Sequence, residues 1–278
     1  MRAFVVAVPH QDVEVAADLL WSLGVLAVEE RTAADDDSGL VELWTSLGDE
    51  FDGAAFGAAA AGIEPAAPWY WRFEVVDESV ADTWRQYARS VMVAPGLEVR
   101  PAWLEGEAGG DGITLLVEPG STFGLGDHPT TILSLRALMG MVRPGDRVLD
   151  VGCGSGVLAI AAMRLGAAHA RGIDISPASV PVTLDNAARN GVSVEVSTTP
   201  LGEVSETFDV VVANILAPVL IDLADDLRRV TGRVLILSGV LDGAFDHVVA
   251  ALAPMEVVDV ETLDGWAAVL LRGCDPTA

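Results

Sequence analysis

Three glycines and an aspartate have the spacing of a nucleotide-type binding site. Gly152, Gly154 and Gly156 follow a short, largely apolar run at 147–151. Glycine has no Cβ, so the backbone can turn sharply there and a ligand can approach it closely. Asp174 ends a second such run, eighteen residues after Gly156, where a carboxylate can accept both hydroxyls of an adenosine ribose. The spacing predicts a cofactor site; the alternative is a structural turn with a solvated Asp174.

A second group of candidate residues follows the apolar run at 209–213. Asn214 stands where this predicted strand ends, and its amide oxygen can accept a hydrogen bond from an amine. The carbonyls of Ile215 and Leu216 lie in the same turn, and Pro218 removes a competing donor. Parallel strands bind ligands at their carboxyl ends, so we expect Asn214 to share a cleft with the glycine loop. The alternative is that Asn214 caps the next helix.

A third candidate segment is the glycine-rich loop at 118–128, which leads into a predicted helix. Pro129 suits the start of that helix, and Thr130 and Thr131 lie in its first turn. Free N–H groups and hydroxyls at this helix start can bind a carboxylate. His128 is either a structural hydrogen-bonding residue, which we favour, or a catalytic base.

The elements that carry these residues alternate between strands and helices. After the glycine loop the pattern predicts helices from 157, at 177–190, 218–230 and 242–252, and strands at 170–175, 192–197, 208–213, 233–238, 255–261 and 265–272. Such alternation is typical of a doubly wound parallel sheet. The turn at 263–264 is so short that the last strand must run antiparallel to its neighbour. The fold class predicted is therefore α/β, with the seven-stranded sheet of class I methyltransferases.

The N-terminal part has a different pattern, which predicts a small α+β domain. Strands at 4–8, 25–30, 40–45 and 70–76 and helices at 12–23 and 49–61 follow the order β-α-β-β-α-β of a ferredoxin-like unit. The segment that follows is predicted to hold a helix at 79–90 and strands at 97–100 and 113–117 that can pair. We therefore divide the chain into a recognition domain at 1–78, a linker at 79–112 and a catalytic domain at 113–278.

Composition narrows the class of partner. The 278 residues are 51% hydrophobic and carry a net charge of −25 without any lysine, which argues against nonspecific binding to nucleic acid or anionic membranes. Residues 1–78 hold three arginines and sixteen acidic residues; either composition has drifted, or this part docks a cationic protein. No apolar run is as long as a membrane span. The two cysteines are far apart in sequence, which predicts no disulfide framework and fits a cytoplasmic location. The four histidines show no metal-ligand spacing with them, so no metal site is predicted.

The motifs at 123–131, 150–156, 172–175 and 212–217 together resemble the PrmA family, bacterial methyltransferases of large-subunit ribosomal protein eleven. The resemblance implies S-adenosylmethionine as cofactor, contacted by Thr131, Gly152, Asp174 and Asn214. It also implies a small N-terminal domain that holds the basic ribosomal protein, and a mobile linker. The chain departs from the family at Leu125 and Asp127, where threonines are usual, and an acid beside the cofactor carboxylate would have to point away.

The reaction implied by the resemblance is methyl transfer to lysine side chains, an N-terminal amine, or both. Asn214, Ile215 and Leu216 would hold the amine in its neutral form, and no strong general base is needed. Three alternatives stay open from the residues: a related glutamine-amide or small-molecule methyltransferase, an NAD-dependent oxidoreductase, and a non-catalytic ribosome-associated binding protein. We expect a monomer without a metal and without direct nucleic-acid binding.

Overall fold

The computed structural model divides the chain into two compact units, Met1–Ala88 and Arg89–Ala278. It describes residues 2–9, 12–22, 25, 27–31, 40–46, 56–57, 60, 68–75, 89–104, 112–118 and 126–273. Among these residues no helix is both long and apolar enough to cross a membrane.

The first unit contains a four-stranded antiparallel sheet. Its elements are β1 Arg2–Pro9, α1 Val13–Ser22, β2 Ala27–Arg31, β3 Leu40–Ser46 and β4 Tyr70–Val75. The sheet order β2-β3-β1-β4 inserts β3 between the two strands that α1 connects, as in a split βαβ unit. Val13, Ala16 and Leu20 of α1 pack with apolar residues of the sheet in one core, because this spacing brings them to one side of the helix.

Parts of the predicted N-terminal pattern lie outside the described residues. Of the predicted helix at 49–61 only 56, 57 and 60 are described, and they are helical. Of the predicted helix at 79–90 only the last two residues are described, and they are not helical.

The second unit begins with a three-stranded sheet of order β5-β6-β7. Its strands are β5 Val91–Ala94, β6 Leu97–Pro101 and β7 Ile113–Val117. The predicted pairing of the last two is confirmed, and they run parallel from Leu97 opposite Ile113 to Pro101 opposite Val117. Strand β7 is an edge strand of this small sheet.

The seven-stranded sheet follows, and it confirms the predicted methyltransferase architecture. Its order is β10-β9-β8-β11-β12-β14-β13, with β14 antiparallel to both neighbours. The strands are β8 Arg147–Val151, β9 His169–Ile173, β10 Glu195–Ser197, β11 Phe208–Asn214, β12 Thr231–Leu241, β13 Glu256–Leu263 and β14 Trp266–Arg272. The helices are α2 Pro129–Met141, α3 Val157–Arg164, α4 Ser179–Arg189, α5 Ala217–Asp222, α6 Ala224–Val230 and α7 Asp246–Ala251.

Two predicted helices differ from the structure. The predicted helix at 218–230 consists of α5 and α6, which meet at Leu223, where ψ is 3° and the helical path is interrupted. The helix predicted from 242 begins only at Asp246, after a turn that contains Gly243 at φ 73°. Apolar spacing carries across such short interruptions, so the sequence pattern alone does not reveal them.

The core lies on both faces of the large sheet. Alternate residues of the central strands enter separate apolar clusters, with Val148 and Val210 in one and Leu149 and Val211 in the other. Burial on both faces explains the nearly continuous apolar runs of these strands. Because β8 pairs in parallel with both β9 and β11, the carboxyl ends of these three strands lie together at one edge of the sheet. The candidate residues follow these strand ends.

Candidate functional site

The glycine loop turns directly from β8 into α3. The N–H of Gly152 donates to the carbonyl of Ile173 at 2.8 Å, which ties the start of the loop to the end of β9. Gly152 has φ 74°, a left-handed conformation that costs a residue with a side chain about 1–2 kcal/mol. The predicted strand–glycine turn–helix arrangement is therefore present.

Asp174 lies beside this loop, one residue after β9 ends. Its Oδ2 accepts the N–H of Gly154 at 2.8 Å, and its Oδ1 accepts the N–H of Ser176 at 2.8 Å. Each carboxylate oxygen can accept a further hydrogen bond. The structure thus brings the predicted acid and the glycine loop into direct contact, with Asp174 half-buried.

The apolar side chain of Ile175, next to Asp174, is almost fully exposed at 96%. We did not single it out from the sequence, although an apolar residue directly after the acid of such a strand was a usable signal. A branched aliphatic side chain in this position can cover the flat face of a heterocyclic base.

Asn214 is the last residue of β11, and its amide reaches across to α2. Its Nδ2 donates to Oγ1 of Thr131 at 3.4 Å. The N-cap of α5 is Leu216, and no side chain caps that helix. The structure therefore contradicts the alternative that Asn214 is an Asx-type cap, and it brings two predicted site residues together across 83 positions of sequence.

Contact between Gly152 and Ile215 joins the two candidate groups. A Cβ built on Gly152 would lie 2.4 Å from Cγ2 of Ile215, so the side chain of Ile215 rests on the bare glycine backbone. On its other side, Ile215 is held by Gly239, where a Cβ would come within 2.4 Å of the Ile215 carbonyl oxygen. Gly239 was missed from the sequence, because nothing in its neighbourhood marks it as facing Ile215.

The first turn of α2 is organised by His128. This residue is the N-cap, and its Nδ1 accepts the N–H of Thr130 at 3.3 Å. Burial lowers the pKa of His128, with Asp127 partly opposing, which favours the neutral ring that accepts this hydrogen bond. Its structural role is confirmed. Asp127, a departure from the family pattern, is exposed.

One expectation about this helix start is wrong. The N–H groups of Thr131 and Ile132 both donate to the carbonyl of His128, at 3.0 and 3.1 Å, and that of Thr130 donates to the His128 ring. These N–H groups are therefore satisfied by the capping turn and are not free to bind a carboxylate. The hydroxyl of Thr131, which accepts from Asn214, can still donate its own proton.

A buried carboxyl group that the sequence analysis did not single out lies beneath the glycine loop. Asp150 in β8 is fully buried, and its Oδ2 accepts the N–H of Ala159 in α3 at 3.1 Å. Its Oδ1 has no hydrogen-bond partner among the described residues. Burial, and to a smaller extent the charge of Asp174, raises the pKa of Asp150 to about 7. An acid inside an otherwise apolar strand was the available sequence signal.

Replacing Gly152 by alanine tests the contact with Ile215. We expect Gly152→Ala to weaken binding of S-adenosylhomocysteine by at least about tenfold, because the new methyl group must displace either the loop or Ile215. Ile215→Ala removes Cγ2, so adding Gly152→Ala to that variant should cost less affinity than Gly152→Ala costs in the unchanged protein. Calorimetric titration measures all three variants; an unchanged affinity in Gly152→Ala would contradict the contact.

Known proteins with similar sequences belong to one family of methyltransferases. The family model of ribosomal protein L11 methyltransferase (PrmA) matches residues 60–273. The ribosomal protein L11 methyltransferase of Geobacter sulfurreducens is 42% identical over 246 residues, which cover 86% of this chain and 79% of the relative. That of Symbiobacterium thermophilum is 37% identical over 243 residues, 86% and 77% of the two chains.

A solved structure leads to the same family. The crystal structure of ribosomal protein L11 methylase from Lactobacillus delbrueckii subsp. bulgaricus aligns with a TM-score of 0.63 and 32% identity, covering 67% of this chain and 100% of that one. The family resemblance noted from the motifs is therefore confirmed: the chain belongs to the PrmA family of ribosomal protein L11 methyltransferases.

Proposed function

We propose that this protein transfers methyl groups from S-adenosylmethionine to amino groups of ribosomal protein L11, at lysine side chains, the N-terminal amine, or both. The observation that carries the proposal is the contact between Gly152 and Ile215. It sets a turn with an amide acceptor, at Asn214, directly against a glycine loop of the kind that binds a nucleoside. A donor and an amine bound on these two segments would be neighbours.

The residues around the loop fit the donor. The backbone at 152–156 allows close approach, Asp174 would accept the ribose hydroxyls, Ile175 would cover the adenine, and the Thr131 hydroxyl would donate to the donor's carboxylate. Gly154 and Gly156 would belong to the same contact surface. S-adenosylmethionine supplies a methyl group already activated on a positively charged sulfur, so the protein's task is chiefly to align the two partners.

We assign the binding of the substrate's amine mainly to Asn214. The Asn214 NH2 group donates to Thr131, which orients the amide. The amide oxygen can then accept a hydrogen from the amine. The Leu216 carbonyl already accepts the N–H of Leu220 at 3.1 Å, and the Ile215 carbonyl faces Gly239. We therefore propose that Asn214 orients the neutral amine and that Ile215 and Leu216 shape the turn around it.

The acidic N-terminal part is proposed to hold the substrate protein. With three arginines against sixteen acidic residues, residues 1–78 would attract a basic ribosomal protein, while 113–278 would carry out the transfer and 79–112 would connect the two. We propose a cytoplasmic monomer. Because exposed charges are screened by salt, L11 binding that does not weaken with salt would contradict this assignment.

Two measurements test the proposed activity. Calorimetric titration should show binding of S-adenosylhomocysteine and none of NADH; the reverse would support an oxidoreductase. Incubation with S-adenosylmethionine and unmethylated L11, read by mass spectrometry, should show mass increases of one or more methyl groups on amines. Methylation of a glutamine amide, or cofactor binding with no transfer to L11, would contradict the proposed acceptor.

A further inference from the structure

The buried side of α4 is polar where an apolar stripe is expected. Thr183 and Asn186 of α4 and Asn190, its C-cap, recur at the spacing i, i+3, i+7 that normally marks the core face of a helix. Their exposed fractions are 0%, 0% and 7%. We call these three residues the polar stripe. Buried polar groups are costly unless they are hydrogen-bonded, so their partners indicate why they are there.

Two residues of the polar stripe hold the glycine loop. Oγ1 of Thr183 donates to the carbonyl of Gly154 at 3.1 Å, and Nδ2 of Asn186 donates to the carbonyl of Ser155 at 2.9 Å. Since the N–H of Gly154 donates to Asp174, the peptide groups on both sides of Gly154 are fixed. The carbonyls at 154 and 155 are thus bonded to α4.

Asn186 also binds the end of strand β7. Its Oδ1 accepts the N–H of Glu118 and its Nδ2 donates to the Glu118 carbonyl, both at 2.9 Å. Asn190 binds Leu116 with the same pair of bonds: its Oδ1 accepts the Leu116 N–H at 2.8 Å, and its Nδ2 donates to the Leu116 carbonyl at 2.7 Å. The two side chains satisfy backbone groups on the edge of the small sheet much as a neighbouring strand would.

We propose that Asn186 is a positioning residue of the cofactor site, which with Thr183 holds the glycine loop in its ligand-binding form before the donor arrives. A loop that is already ordered does not lose conformational entropy on binding. Asn186 ties Ser155 to β7, whereas the third bond of Asn190 goes to the carbonyl of Asn186 in its own helix, at 2.8 Å. The identity of the donor rests on the proposed function.

The two asparagines provide a matched pair of variants. Asn186→Ala and Asn190→Ala remove the same atoms and three hydrogen bonds each, two of them to backbone groups in β7 or directly after it. We expect similar losses of unfolding free energy in urea. Only Asn186→Ala should weaken S-adenosylhomocysteine binding, by about tenfold, equivalent to about 1.4 kcal/mol. Its KM for S-adenosylmethionine should rise similarly, with kcat changed less than about twofold.

A measurement without ligand separates this inference from the proposed function. Amide hydrogen exchange at 153–156 should be faster in Asn186→Ala than in Asn190→Ala or the unchanged protein. Thr183→Val, which keeps the shape and removes the hydroxyl, should also speed exchange and weaken binding, and it serves if Asn186→Ala does not fold. Equal exchange and equal affinity in the two asparagine variants would overturn the inference. Failure of the unchanged protein to bind S-adenosylhomocysteine would instead overturn the proposed donor, and exchange would still decide the role of Asn186.

Discussion

Replacing Asn214 by alanine should lower kcat by about 100- to 1,000-fold, the range measured when one preorganised polar group is removed from an active site. The physical reason is that Asn214, the proposed amine acceptor, directly precedes Ile215, which rests on Gly152, and its amide is oriented by Thr131. Without it, the amine would lose the group that aligns its lone pair toward the donor. Steady-state methylation of L11 measures the effect.

Two controls distinguish a role in the reaction from a general loss of structure. Affinity for S-adenosylhomocysteine should fall far less than kcat in Asn214→Ala, because the contacts made by the glycine loop and Asp174 remain. Thr131→Val removes the partner of the amide while keeping its shape. At saturating S-adenosylmethionine, so that loss of the proposed contact with the donor's carboxylate does not contribute, it should lower kcat by an intermediate, roughly tenfold amount. Unchanged kinetics in Asn214→Ala would remove this residue from the mechanism.

Replacing Asp150 by asparagine should make the protein relatively more stable as pH rises. The pKa of Asp150 is raised from 3.8 to about 7 by burial. Below about pH 4 the folded and unfolded forms both carry the proton. Between pH 4 and 7 only the folded form keeps it, so the unfolding free energy falls with rising pH, until above pH 7 the full cost of the buried charge is present. Asparagine has no such dependence.

The measurement is the difference in unfolding free energy between Asp150→Asn and the unchanged protein, taken in urea at several pH values. From pH 5 to pH 8 this difference should move by about 2–3 kcal/mol in favour of the variant. The acceptor for the Ala159 N–H is retained, because an asparagine oxygen can replace Oδ2. In Asp174→Asn the fall of unfolding free energy with rising pH should be only slightly less steep. The charge of Asp174 contributes less than burial to the raised pKa of Asp150. A difference that is constant with pH would show that Asp150 is ionised throughout.

Local sequence patterns could predict the parts of the site that lie along one strand and its following turn. The glycines at 152–156 and the acid at 174 each follow a buried strand, and this neighbourhood is a property of short segments. The expectation of free N–H groups at the start of α2 was wrong, because capping depends on the orientation of a side chain. His128 could have pointed elsewhere, and only its actual rotamer shows that Nδ1 and its carbonyl occupy those donors.

The amino-acid sequence by itself determined the order of strands and helices and the reversal of the last strand, because hydrophobic period and turn length act within a few residues. It also determined the family, through motifs that are each local. Tertiary structure alone decided that Ile215 rests on Gly152 and Gly239, that Asn214 meets Thr131, and that Asn186 joins Ser155 to Glu118. These contacts join segments up to 83 positions apart, and they arise because the sheet order brings the ends of β8, β9 and β11 to one edge, which no periodicity within a single element encodes.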